Sequence, residues 1–461
     1  MKKLLYLAAA VTVAALLSAV PASAQTLKSA YFLDNNQFAY RSNPSLMSDR
    51  SHLGVVLSNI WVNSESTLGM SDVLFPTASG LVTGFNPAIS SEQFLGRLKP
   101  RSAFSVDVSE NILSVNTRRY RSNGNFEVNM RVLADGNLPY DMFAFLKNGS
   151  SESAYNLAGL GFNAKVLAEV AYGTSFLIGD YVAVGFRLKG LFGLQNLTLT
   201  ADKANLTVNR NMAEVDADAT IRASGKYLKY QVNDGVLDLN SFDTNMAFWG
   251  PTGFGGALDL GVTVTPIENL SVSLAVMDMG AIYWKYNLVA KTAQTVTYTG
   301  TKDINPLSED GTNGIRDEID AQLEKLKKLR DFNVQNPENG LERLPFSANL
   351  GARYAFFDGI LSVGALASFK HGVYVNTFDT RLGVTTTPIR WFSLSANAGV
   401  GTYGPVWGSA LSFNIGPFHF HGGVDAMIGK YAKVYKGIAP IGKFGIASNF
   451  GLVISFGEWH N

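Results

Sequence analysis

The feature that most constrains this chain is a period-2 alternation of apolar and polar residues. It recurs in short blocks over most of the sequence, with no helix-length apolar run between them. In Phe126-Glu127-Val128-Asn129-Met130-Arg131-Val132 the apolar side chains share one face of a strand, and Glu, Asn and Arg share the other. The same split appears at 104–109, 182–189, 254–264, 378–382, 392–398, 411–415, 418–421 and 449–456. One face suits hydrocarbon and the other suits water. A soluble sandwich alternates too, but here the blocks are many and match the roughly 9–11 residues of a tilted membrane strand. After the N-terminal leader, no segment reaches the roughly 18 consecutive apolar residues of a spanning helix. Charged residues make up 16% of the chain, against roughly a quarter in soluble domains. The fold class expected is all-β: a transmembrane antiparallel β-barrel.

Strands are expected at 53–62, 103–118, 124–134, 155–176, 181–199, 253–265, 269–284, 346–356, 360–371, 377–387, 391–402, 406–415, 418–428 and 445–456. That is about 14 strands, an even number, as single-chain bacterial barrels have. Turn-forming residues fall at Ser122-Asn123-Gly124, Ile178-Gly179-Asp180, Pro266-Ile267-Glu268, Phe357-Asp358-Gly359, Thr387-Pro388-Ile389 and Gly416-Pro417. All lie on one side, the periplasmic one. The large insertions at 63–102, 135–154, 200–252 and 285–345 lie on the other, as long extracellular loops do. Tyr181, Phe356, Phe357, Trp391, Phe392 and Phe418 border the short turns, and Tyr283, Trp284, Tyr403 and Trp407 border the outer loops, the positions of interfacial girdles. Asp278 breaks the pattern. It shares the phase of the lipid-facing Leu270, Val272, Leu274 and Val276, so it must sit at the outer rim or after a bulge.

The first residues read as a signal peptide, 1–24. Lys2 and Lys3 precede an apolar stretch and then Ala22-Ser23-Ala24, with cleavage expected after Ala24. No Cys occurs, which closes the lipoprotein route and excludes disulfides and thiolate chemistry. Formal net charge is +1, giving no electrostatic reason to expect nucleic acid. No charged or proline-rich linker divides the remainder. It is read as a 25–50 N-terminal segment followed by one barrel, 51–461, in the cell outer membrane.

Asn43-Pro44-Ser45-Leu46 before the first strand, Ala168-Glu169-Val170-Ala171-Tyr172-Gly173 leading into Val184-Gly185-Phe186-Arg187-Leu188-Lys189-Gly190-Leu191-Phe192-Gly193, and Leu258-Asp259-Leu260-Gly261 followed by Asp278-Met279-Gly280-Ala281-Ile282-Tyr283-Trp284 carry a resemblance. Together they resemble an uncharacterised family of outer-membrane barrels from Bacteroides-type envelopes. That family is itself similar to the FadL-type fatty-acid transporters and to the PorV-like barrels of the type IX secretion system. The resemblance covers most of the chain and lies in strand and turn signatures. It implies a barrel whose lumen holds an N-terminal plug, and it carries over no ligand residue. The chain end departs from the usual pattern, since Phe456 is followed by Gly457-Glu458-Trp459-His460-Asn461. A terminal aromatic is what the barrel-assembly machinery is expected to read.

Arg187, Lys189, Asp259, Arg353, Asp379, Arg381, His419, His421 and Asp425 project inward by phase. They are lumen-lining candidates that could select a ligand, hold the plug by ion pairs, or simply face water. His419, His421 and Asp425 could in principle ligate a metal, but five His in the whole chain leave no obvious further ligand, so no metal or other cofactor is assigned. The 309–320 stretch resembles a calcium loop in part, but Gly311 replaces its third ligand. A cap at Thr312 or Asn313 opening an amphipathic helix, with Ile315, Ile319, Leu323 and Leu326 on one stripe, fits better. Small inward residues, among them Ser271, Ser273, Ala275, Ser347, Gly351, Ser393, Ser395, Gly399, Gly408, Ala410 and Ser412, leave space for plug, apolar ligand or water. No catalytic motif with supporting context occurs, and the chain is read as not an enzyme. Three functions follow: passage of a hydrophobic compound, a scaffold docking a secreted protein through the outer loops, and a diffusion porin. The partners expected are outer-membrane lipid, the assembly machinery, and a hydrophobic ligand or a secreted protein, with no nucleic acid.

Overall fold

A computed structural model describes residues 27–33, 36–46, 51–77, 80–119, 121–148, 154–209, 212–226, 228–241, 250–298, 331–427, 431–434, 437–440 and 442–458. The signal peptide with its cleavage site, and the 309–320 stretch with its calcium-loop and helix readings, lie outside them.

Among the described residues, fourteen strands close into one antiparallel ring. They are β1 (Ser51–Ser66), β2 (Arg101–Arg119), β3 (Ser122–Pro139), β4 (Gly161–Ile178), β5 (Val182–Asn209), β6 (Gly253–Ile267), β7 (Leu270–Tyr286), β8 (Phe346–Phe356), β9 (Leu361–His371), β10 (Asn376–Ile389), β11 (Phe392–Gly401), β12 (Gly404–Ile415), β13 (Phe418–Met427) and β14 (Phe444–Glu458). Each pairs with its neighbours in sequence, and β1 closes the ring. Leu53 lies opposite Thr117 of β2 on one side and Phe456 of β14 on the other. Closure matters because hydrocarbon offers no partner to an unpaired backbone N–H or C=O.

Period 2 then sorts the side chains. Leu382, Leu188 and Leu260 are 72%, 57% and 44% exposed, whereas their neighbours Arg381, Lys189 and Asp259 are buried. The apolar face points outward and the charged face inward, the arrangement of a transmembrane barrel. Tyr181, Phe356, Phe357, Trp391 and Phe418 are exposed at the short-turn rim, as expected, and Tyr283 and Trp407 at the other. Three turns lie elsewhere than expected, the first because Pro266 and Ile267 stay in β6 and the turn is Glu268-Asn269. Ser122 to Gly124 belong to β3 and the turn is at Arg121, while Pro388 stays in β10 at a bulge and the turn is Arg390-Trp391. A proline that cannot donate to a ladder is tolerated at a bulge.

Of the two placements expected for Asp278, the outer rim or a bulge, the structure has the bulge. β7 pairs Val276 with Leu260 but Met279 with Leu258, and Asp278 takes a φ of 61°. The extra residue flips the phase, so Asp278 is buried. The same flip turns Trp284 inward, fully buried against Gly193 and Gly253, which corrects its placement in the outer girdle. Tyr403 also leaves that girdle and lines an internal space.

Several expected loops contain strand. β5 runs 28 residues, about 90 Å at 3.3 Å per residue, far more than a bilayer needs. Its outer part pairs with Met212–Gly225, which pairs with Leu288–Tyr298, which pairs with Asn333–Gln335. This lobe packs Ile221, Ala223, Leu237, Leu288 and Ala290 into a core of its own. Over the neighbouring strands sits a cap. α2 (Ser91–Leu95), opened by a capping box between Ser90 and Gln93, meets α3 (Tyr140–Asn148) around Phe94, Phe143 and Tyr155.

Candidate functional site

The lumen is occupied by the chain's own N-terminal segment. Residues 27–33 and 36–46 are almost entirely buried, and their partners come from around the ring. Tyr31 bonds Ser273 of β7 (2.7 Å), Thr385 of β10 donates to the Phe32 carbonyl (2.6 Å), and Ser395 of β11 donates to the Ser29 carbonyl (3.0 Å). Asn349 of β8 donates to the Ser42 carbonyl (3.1 Å), and Ser45 bonds Thr263 of β6 (2.7 Å). Tyr40 donates to Glu127 of β3. A segment bonded to strands on every side of a ring lies inside it.

The wall is shaped to receive it. A Cβ on Gly351 would come within 2.0 Å of the Tyr31 hydroxyl, and one on Gly383 within 2.8 Å of the Phe32 ring. The small residues of β8 to β12 therefore make room for the short helix α1 (Lys28–Phe32) and its aromatic side chains. Phe38 packs against His421 at 4.5 Å between ring centroids.

Two ionic clusters hold segment and wall together. In the first, charges alternate in sign along a buried chain. Arg131 binds Asp107 at 2.9 Å and Asp278 at 2.8 Å, and Lys189 binds Asp278 at 2.5 Å and Asp259 at 2.8 Å. Arg187 binds Asp259 at 3.2 Å and also Glu127, whose carboxylate takes Arg41 of the inner segment at 2.8 Å. Arg41 in turn lies over the Trp61 ring, 3.6 Å from its centroid. The chain spans β2, β3, β5, β6 and β7. The Arg131–Asp278 pair joins β3 to β7, strands that are not neighbours in the wall, so it crosses the lumen. Buried charges are tolerable only when each finds such partners.

The second cluster is smaller and faces β10 to β13. Arg381 binds Asp379 at 2.7 Å and Asp425 at 2.6 Å. Lys28 reaches Asp379 at 3.3 Å, and the backbone N–H groups of Lys28 and Ser29 donate to Asp425 at 2.7 and 3.3 Å. The wall thus supplies the carboxylate that satisfies the first turn of α1.

The sequence-predicted residues fall into these groups unevenly. Arg187, Lys189 and Asp259 meet in the first cluster, and Asp379, Arg381 and Asp425 in the second. Arg353 bonds Ser362 at 3.0 Å. His419 bonds Asn414 at 2.7 Å, His421 bonds Asn449, and Asp425 is engaged elsewhere. Among the described residues no group of three or more His, Cys, Asp or Glu could hold a metal. Sequence reasoning missed Asp107, Glu127 and Arg131, although all three sit on the inward phase of alternating blocks it had recognised. It also missed Lys28, Tyr40 and Arg41, which carry no period at all.

Among the described residues, three spaces in the lumen are small. Spaces of about 50 Å³ lie above α1, one lined by Phe378, Tyr403, Val406 and Met427 with Lys28 and Arg381, the other by Phe346, Phe369 and Lys370. A third, of about 20 Å³, lies within the first cluster.

Ring, outward apolar band and inward charge together define an outer-membrane-type β-barrel of fourteen strands. The chain belongs to a family of unknown function, DUF5723, whose model matches residues 44–425. No curated protein matches the sequence. Solved structures similar to it are the Ralstonia pickettii toluene transporter TbuX (10% identity, 92% of this chain and 94% of that one, TM-score 0.40) and a Pseudomonas aeruginosa FadL homologue (12%, 94% and 98%, 0.43). A third is the CymD monoaromatic hydrocarbon channel (9%, 93% and 95%, 0.44).

Proposed function

We propose that this chain is an outer-membrane barrel that passes a hydrophobic compound, with residues 27–46 as its plug. The observation that carries the reading is the space directly above α1. Val406, Met427 and Ala447 line it on one side, and Lys28, Asp379, Arg381 and Asp425 form its charged floor. At about 50 Å³ the space is too small for a ligand while α1 is seated. Withdrawal of α1 would widen it beside these apolar side chains, so that an apolar body enters with its polar end at the charged floor. The filled lumen speaks against a general diffusion porin. On this reading Arg187, Lys189 and Asp259 stiffen the wall, and Asp379, Arg381 and Asp425 are the clasp that α1 must leave for passage. Signal-peptide cleavage after Ala24 precedes insertion by the assembly machinery, and lipid then covers the outward band. The test is uptake of a fluorescent fatty acid, and of toluene, into vesicles carrying the mature barrel. Uptake faster than in empty vesicles supports the reading, and equal uptake of both ends it.

One observation favours a second reading, a scaffold that docks a secreted protein. The outer lobe carries β5 and its partners far beyond the bilayer, more framework than a passage needs. Deleting residues 201–220 without losing any co-purifying protein would end that reading.

A further inference from the structure

The largest space among those described lies outside the lumen cluster, at the long-loop mouth. It is a cleft of about 420 Å³ between the outer ends of β2 and β3, the start of α3 and residues 156–158. Pro100 and Tyr140 give it apolar faces, and Arg101, Asn137, Asp141 and Asn156 give it planar polar groups. Its volume falls within the range of small-ligand sites, whereas the lumen spaces are several-fold too small.

The cleft is preformed. Arg101 pairs with Pro139 across the β2–β3 ladder, and the Tyr140 N–H donates to the Pro100 carbonyl at 3.1 Å. The Asn156 N–H donates to Asp141 Oδ2 at 2.7 Å, and Asn137 Nδ2 donates to the Gly159 carbonyl at 2.6 Å. Two prolines at the lip fix φ and add stiffness. These bonds set the walls yet leave reading groups over: Asp141 Oδ1, Asn137 Oδ1 and Asn156 Nδ2, and the whole guanidinium of Arg101, which is exposed and has no ion pair or hydrogen bond among the described residues.

We infer that this cleft binds a neutral glycan. One cation and one anion share the lining without pairing, so a ligand of either net charge would meet a like charge as well as an opposite one. A polyol presents donors and acceptors side by side. Guanidinium, carboxylate and amide groups can each take two adjacent hydroxyls through paired donors or acceptors. The C–H faces of a sugar ring suit Tyr140 and Pro100, as they would suit no strongly hydrated ion. A purely apolar ligand would leave four polar side chains without partners. The site is independent of the passage reading, because it shares no residue with the spaces above α1.

The test applies the full mature barrel, purified in detergent, to an array of neutral glucans, mannans, galactans and xylans, with unmodified peptides on the same array. The expected result is binding to at least one glycan class. In Arg101→Gln and in Asp141→Asn that binding weakens by about tenfold, the loss of one hydrogen bond to a charged group. The heat-shifted gel mobility of the folded barrel confirms that both variants are intact. Binding to no glycan, binding to peptides alone, or glycan affinity unchanged in both folded variants would each overturn the inference.

Discussion

The two halves of this barrel close their lumen by different means. From β2 to β7 the inner face is crowded with charge, and ion pairs between strands that are not neighbours tie the wall to itself, with Arg41 of the inner segment joining at Glu127. From β8 to β12 the inner face is rich in Gly and Ser, and closure depends on α1, a separate piece of chain seated against it. The difference extends outward. β2 to β7 run from 15 to 28 residues and rise into lobe and cap, while β8 to β12 run from 10 to 14 and end in shorter outer connections. A wall knitted by buried charges cannot open without stranding them, whereas a segment held by a few clasps can leave and return. On the proposed reading, the first half is the rigid part of the wall and the second is where a hydrophobic compound would pass.

The comparison can be broken at specific residues. Glu127→Ala should have the largest effect, because it strands Arg41 and Arg187 together in a buried site. A loss of about 3–5 kcal/mol is expected in urea unfolding from lipid vesicles. A loss under about 1 kcal/mol would mean the first half does not rely on its ions. Gly383→Leu puts a branched side chain where the Phe32 ring lies. It should cost about 1–3 kcal/mol as overpacking and drive α1 out, so that a cysteine replacing Lys28 reacts faster with an aqueous thiol reagent while the barrel stays folded. Asp425→Asn weakens the clasp on Arg381 and on the N–H groups of Lys28 and Ser29. It is expected to lower stability by about 1.5 kcal/mol and to raise labelling of the same cysteine, with no change in labelling around the first cluster. Smallest is Tyr31→Phe. This variant removes one hydrogen bond, to Ser273, for about 1 kcal/mol by the same unfolding measurement.

Much of this architecture was legible in the sequence, for a physical reason. A strand between lipid and water must alternate, so all fourteen spans and the direction of each inward charge follow from phase alone. At Asp278 the sequence left two options, the outer rim or a bulge, because a carboxylate on the lipid face would be too costly to keep, and the structure takes the bulge. Its consequence for Trp284, six residues on, was not drawn. Three other things were hidden. Alternation fades where a strand leaves the bilayer and meets water on both faces, as in β5 beyond residue 200, so those stretches looked like loop. Phase says that Arg131 and Asp278 point inward, but not that they meet across the lumen, since that depends on the ring's cross-section. The inner segment has no period to read: Lys28, Tyr40 and Arg41 acquire meaning only from the wall around them.

The central claim, that residues 27–46 alone close the second half, is tested most directly by single-channel recording in planar bilayers. The mature barrel and a variant lacking those residues would be compared, each first shown to be folded. The account predicts no steady conductance for the intact chain and a steady open level for the deletion. Steady conductance in the intact chain, or none in the folded deletion, would contradict it.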